Sequence, residues 1–178
     1  FDMQVVVMIR HPAAFAESII RKRWGFSFHH LTKQPALLDN LLPELREEVE
    51  AFAQPPYPDL LNTAILLWRL CYTAVSKFQS RQPAWHFLRH EDVSRDPIPH
   101  FQMLYDALQL DFTPEIAQRI RSNTVVKVSD ANDSEEVAQI TSTQNIAKWK
   151  QRLQPDQIAY IREKVEPLGS IWYGEQDW

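Results

Sequence analysis

The chain has 178 residues, 44% hydrophobic and 24% charged, with a formal charge of −4 and a pI near 5.9. That length supports one domain with its own core, and the acidic balance argues against a dedicated nucleic-acid binder, which carries basic surface. A single cysteine excludes an internal disulfide framework and fits a reducing compartment, no apolar run approaches the ~20 residues that span a bilayer, and three glycines are too few for a Gly-rich phosphate loop, a dinucleotide fingerprint or a nucleophile elbow.

The chain opens on Phe1 and enters an apolar run, Val5-Val6-Val7-Met8-Ile9, almost at once, so it reads as a segment of something longer. Three stiff valines favour the pleated backbone, and a run without polar alternation predicts a strand covered on both faces, as in parallel sheets. Arg10 and His11 follow, and Pro12 suits the first position of a helix. The segment AAFAESIIRKR then continues that helix, with Phe15 and Ile19 on one face. Ligands of open α/β sheets sit at the carboxyl ends of strands, where a helix N-terminus offers N–H groups and positive potential to an anion. Arg10 is placed to grip a phosphate there, and Ser18 lies about two turns into the helix. Equally, Arg10 can pair with a carboxylate and Ser18 can be a small packing residue.

Gly25 and the aromatics Trp24, Phe26 and Phe28 predict a break and a packed loop. His29 and His30, side by side, make a poor metal pair. Residues 35–53 carry Leu38, Leu42, Leu45, Val49 and Phe52 at helical spacing, which predicts one amphipathic helix ended by Pro55, Pro56 and Pro58. Residues 59–81 predict the longest helix, with a spine of Leu61, Ile65, Trp68, Tyr72 and Val75. Its apolar surface runs almost all round, so the helix is expected to be central, with Cys71 as a small buried hydrophobe.

Residues 85–89 predict a second strand, running into His90-Glu91-Asp92. Asp96 as N-cap and Pro97 at the first position open another helix, with Phe101, Leu104, Tyr105 and Leu108 inward. His86, His90 and Glu91 do not follow the order of a zinc helix motif. Thr113 and Pro114 start the next helix. Residues 124–144 are polar and aperiodic and predict a loop of the kind that covers nucleotide sites, or a plain surface loop. Thr143 or Asn145 can cap a helix with Ile146, Trp149 and Leu153. A last helix spans 155–168 before an aromatic tail expected to dock on the core.

Three segments, in order, are similar to those of sulfotransferases that use 3′-phosphoadenosine-5′-phosphosulfate (PAPS). MIRHPAAFAES resembles the strand-Arg-x-Pro-x5-Ser-helix segment that holds the 3′-phosphate. FLRHEDVSRDP resembles the strand that ends in Tyr-Glu-Asp-Leu before a Pro-initiated helix. NIAKWKQRL resembles the late helix with its Trp-Lys or Trp-Arg pair. The chain as a whole resembles a bacterial branch of the family.

The resemblance implies an α/β fold, P-loop-NTPase-like with a central parallel sheet, in which 1–178 is a single, N-terminally truncated sulfotransferase domain and mostly helical. It implies an enzyme that moves a sulfuryl group from PAPS to an acceptor hydroxyl or amine, without a metal. Arg10 and Ser18 would hold the 3′-phosphate, and His90 would take the place of the aromatic near the adenine. Ser142 and Asn145 fall where later phosphate contacts lie, although the Arg-Lys-Gly triplet of the animal cytosolic enzymes is absent. The phosphosulfate loop and the catalytic base would precede Phe1, so this segment alone is expected to be inactive. The acceptor would be a small molecule or glycan, the partner no nucleic acid, the location cytoplasmic by default. Two other readings stay open. One is a nucleotide or small-molecule kinase of related fold; the other is a non-catalytic helical interaction domain.

Overall fold

A computed structural model describes residues 3–128, 138–141 and 146–178. The chain is mostly helical, with a two-stranded parallel sheet that places it in the α/β class. It divides into two units, Phe1–Arg10 with Ala84–Gln151, and His11–Pro83 with Arg152–Trp178.

In the first unit, β1 (Val6–Ile9) and β2 (His86–Arg89) pair in parallel, with Val6 opposite His86 and Ile9 opposite Arg89. The valine run makes its strand, but both faces are not covered. Ile9 is buried, whereas Val6 and Met8 are 37% and 45% exposed. Side chains alternate across a strand, and among the described residues only β2 hydrogen-bonds to β1. Arg89 leads directly into α5 (His90–Arg95), and α6 (Pro97–Ala107) and α7 (Pro114–Asn123) pack in series behind it.

Thr113 caps α7, its hydroxyl accepting from the Ile116 N–H at 3.4 Å. Asp96 stands at the N-cap of α6 but makes no side-chain cap bond; Pro99, at the third helical position, has no N–H for it to accept from. The predicted 124–144 loop contains two strands instead. β3 (Val125–Val128) pairs antiparallel with β4 (Ala138–Thr141), as the β-branched residues of VVKV and QIT favour. Residues 129–137 and 142–145, the rest of that predicted loop, lie outside the described residues. A short helix, α8 (Trp149–Arg152), buries Trp149, with the Lys150 ammonium 5.2 Å from the indole centroid.

In the second unit, α4 (Leu60–Arg81) is the centre, as its wide apolar surface predicts. Asp59 caps it, its carboxylate accepting from the Asn62 N–H at 2.8 Å. Trp68 is fully buried, stacks on Tyr72 at 4.5 Å, and meets Trp172 edge-on at 6.5 Å. The aromatic tail thus docks on the core, and the Trp172 Nε1–H donates to Gln79 Oε1 at 3.0 Å. Cys71 breaks the expectation. It sits on the strip of α4 left exposed, and crowding by its neighbours still desolvates the thiol and raises its pKa.

α1 (Pro12–Lys22) and α9 (Pro155–Val165) pack on α4 and on each other. α9 stops short of the predicted Leu168, because Glu166 precedes Pro167 and is extended. Glu17 of α1 is buried and bridges two cations, accepting from Arg21 Nε at 3.1 Å and from Arg152 at 2.8 Å.

A short α2 (His29–Thr32) leads into the segment predicted as one helix, which is instead broken at Pro43. Pro43 has no N–H, and its ring clashes with the carbonyl one turn back. A π-turn over Leu37–Leu41, a 3₁₀ turn over Pro43–Leu45 and α3 (Arg46–Phe52) result. The breaks re-aim the leucines without exposing them. Leu38, Leu42, Leu45 and Val49 join Phe28, Leu66 and Leu70 in one buried cluster.

Candidate functional site

The register of the parallel pair creates the candidate site. Ile9 lies opposite Arg89, so the next residues, Arg10 and His90, leave the sheet side by side at its carboxyl end. No loop separates β2 from α5: the strand ends at Arg89 and His90 is the first residue of the helix. Both side chains are half-buried.

His90 titrates below its ordinary 6.5. Burial disfavours the imidazolium most, the Glu91 carboxylate opposes that effect, and the Arg10 charge adds to it. The histidine is thus neutral at neutral pH, with a guanidinium close enough to be felt. One helical turn on, Ser94 Oγ lies 3.5 Å from His90 Nε2. Glu91 is buried at 6% exposure. Asp92 is held between Arg95 at 3.1 Å and Arg89 at 3.4 Å. The arrangement offers an incoming anion a delocalised cation and a neutral ring. The anion's charge would in turn favour the imidazolium.

Of the five residues the sequence singles out, Arg10 and His90 are brought together. Ser18 is half-buried on α1, in the other unit, and Ser142 and Asn145 lie outside the described residues. The helix N-terminus is less open to an anion than expected. Pro12 has no N–H, and the Ala13 N–H is taken by His11 Nδ1 at 3.2 Å. His11 itself is 2% exposed and meets Tyr173 and Trp178 edge-on at 4.7 and 4.5 Å. It shapes the start of α1 rather than facing solvent.

Sequence reading missed Ser94, although a hydroxyl four residues after His90 falls on the same helical face. It also missed the cap formed by His11, an uncommon residue for that position. His29 and His30 are exposed, and no group of three or more potential metal ligands occurs among the described residues. No described helix is long and apolar enough to cross a membrane. Compared with family models, curated proteins and solved structures, the chain matches none.

Proposed function

We propose that the chain is a PAPS-dependent sulfotransferase domain in which Arg10 binds the 3′-phosphate and His90 contacts the adenosine. The observation that carries the reading is the pairing of Arg10 with His90 at the carboxyl end of the parallel strands. That is where α/β sheets bind nucleotides. PAPS brings the sulfuryl group and its leaving group, while these residues bind and orient.

The residues fit that part. Arg10 presents a planar fork that suits two phosphate oxygens. The neutral His90 ring can stack on a base without repelling it electrostatically. On the sequence resemblance alone, Ser18, Ser142 and Asn145 complete the set. Gripping a phosphate that does not react supplies orientation for the end that does. The acceptor is a hydroxyl or amine of a small molecule or glycan, and the domain works in the cytoplasm, where PAPS is made.

Titration with adenosine 3′,5′-bisphosphate and with ATP tests the reading. The bisphosphate should bind more tightly than ATP, without Mg²⁺. Arg10→Ala should weaken it by roughly 10- to 100-fold, the worth of one or two charge-assisted bonds. Equal affinity for ATP, or an Arg10→Ala variant that binds as wild type does, would overturn the assignment. A preference for Mg-ATP would favour a kinase, and no nucleotide binding a structural or interaction domain.

A further inference from the structure

We propose that the turn between α1 and α2 docks on an anionic lipid bilayer, with Trp24 and Phe26 entering the headgroup layer and Lys22 and Arg23 meeting the lipid charge. The turn lies wholly within the second unit and uses none of the residues assigned to the nucleotide.

Charge is the first observation. No Asp or Glu occurs between Glu17 and Asp39, and Arg21, Lys22, Arg23 and Lys33 all fall in that stretch. The rest of the chain carries 15 Lys and Arg against 23 acids, so the stretch is a cationic island on an acidic protein. Arg21 shares Glu17 with Arg152. Among the described residues, no carboxylate pairs with Lys22, Arg23 or Lys33. An anionic surface is the complement of such an island, and each Lys or Arg brought near it strengthens binding.

Exposed rings are the second observation. Every residue from Arg21 to Ser27 is exposed, with Trp24 at 57% and Phe26 at 39%. Phe26 packs edge-on against the buried Phe28 at 5.1 Å, so the exposed ring stands on an anchored one. The Lys22 ammonium lies 4.3 Å from the Trp24 ring centroid. Aromatics beside long cations suit a membrane interface. The rings enter the boundary between headgroups and acyl chains, while the charged ends reach the lipid phosphates. A soluble polyanion would answer the charge alone, whereas a bilayer also takes the rings.

The backbone agrees. α1 ends in a Schellman motif, in which the Trp24 N–H donates to the Ile19 carbonyl at 3.1 Å and the Arg23 N–H to the Ile20 carbonyl at 3.0 Å. Arg23 fills the left-handed position, at φ 52° and ψ 40°, where glycine is favoured. The chain keeps a guanidinium there instead. Cations also suit a helix C-terminus, but that effect asks nothing of Trp24 or Phe26.

Co-sedimentation of the whole chain with vesicles, in the absence of nucleotide, tests the proposal. Vesicles of phosphatidylcholine with phosphatidylserine should sediment the protein, and vesicles of phosphatidylcholine alone should not. Salt at about 1 M, which shortens the screening length to ~3 Å, should release most of it. Arg23→Gly should weaken binding about fivefold, the worth of one cation near an anionic surface. It should do so without lowering thermal stability, because glycine takes the left-handed position freely. Trp24→Ala should weaken binding at least as much. The proposal fails if phosphatidylserine vesicles do not sediment the protein, if phosphatidylcholine alone does so equally, or if both variants bind as wild type does. Binding of a heparin oligosaccharide without binding of vesicles would overturn it in favour of a soluble polyanion. With no nucleotide present, none of these results depends on the sulfotransferase reading.

Discussion

Replacing Glu17 by alanine removes a carboxylate that the fold has taken almost wholly out of water. Its side chain is 9% exposed, whereas those of its partners, Arg21 and Arg152, are 51% and 44% exposed. A hydrogen bond to a charged group contributes about 1.5–3 kcal/mol, and a fully exposed ion pair about 0–1 kcal/mol. Each bond here has one buried and one half-exposed partner, so each lies between those limits, near ~1 kcal/mol. Glu17→Ala should therefore cost about 2–3 kcal/mol. Arg152→Met, which leaves Glu17 its bond to Arg21, should cost about 1 kcal/mol. Urea unfolding measures both. With a slope of about 2 kcal/mol per molar, Glu17→Ala should lower the midpoint by roughly 1 M. A double-mutant cycle over Glu17 and Arg152 should return a coupling of about 1 kcal/mol. A coupling indistinguishable from zero would refute the reasoning, because the bridge joins residues remote in sequence and has no purpose in the fold unless it holds.

Trp68→Ala should cost about 3–5 kcal/mol and weaken the near-ultraviolet dichroism of the Trp172 region, since Trp68 is fully buried against Tyr72 and Trp172; a loss below ~1 kcal/mol would contradict that packing. His90 gives a pH dependence of known sign. Its pKa is lowered on folding, chiefly by burial, so the unfolded chain binds the extra proton more readily. Stability is then complete above about 6.5 and falls as pH drops below it towards the folded value. His90→Gln should flatten that slope in unfolding curves recorded from pH 7.5 to 5. Cys71, exposed yet with a raised thiol pKa, should react with a maleimide at pH 8 more slowly than a cysteine in an unstructured peptide. An equal rate would contradict the desolvation.

Much of the fold is legible in the sequence because its signals are local. The valine run and Pro12 mark the β1–α1 turn, and the apolar surface of residues 59–81 marks α4 as central. Prolines 97, 114 and 155 mark three helix starts. The errors arise where a local rule is overridden or a partner lies far away. The leucine period of residues 35–53 is genuine, and all those leucines are buried, but period alone does not register that Pro43 must break the helix beneath it. Cys71 reads as buried because its neighbours are, and only the placement of the other helices decides which strip of α4 stays exposed. Arg10 is legible from its position at a strand end. That His90 stands beside it depends on parallel register, which no single stretch encodes. Glu17 finding Arg152 is of the same kind.

Both units are interleaved along the chain, the first taking Phe1–Arg10 and Ala84–Gln151, the second everything between and Arg152–Trp178. No single cut therefore frees an intact unit. On the ribosome, β1 waits for β2 while α1 to α4 are made, and the aromatic tail that completes the α4 core emerges long after α4 itself. Val6 can meet His86 only by closing the whole intervening chain into a loop, and such closures slow folding more than they weaken the folded state. Proteolytic nicks and truncations should thus disable the protein from many positions, including ones distant from Arg10 and His90, because they sever a unit at its seam in the sequence.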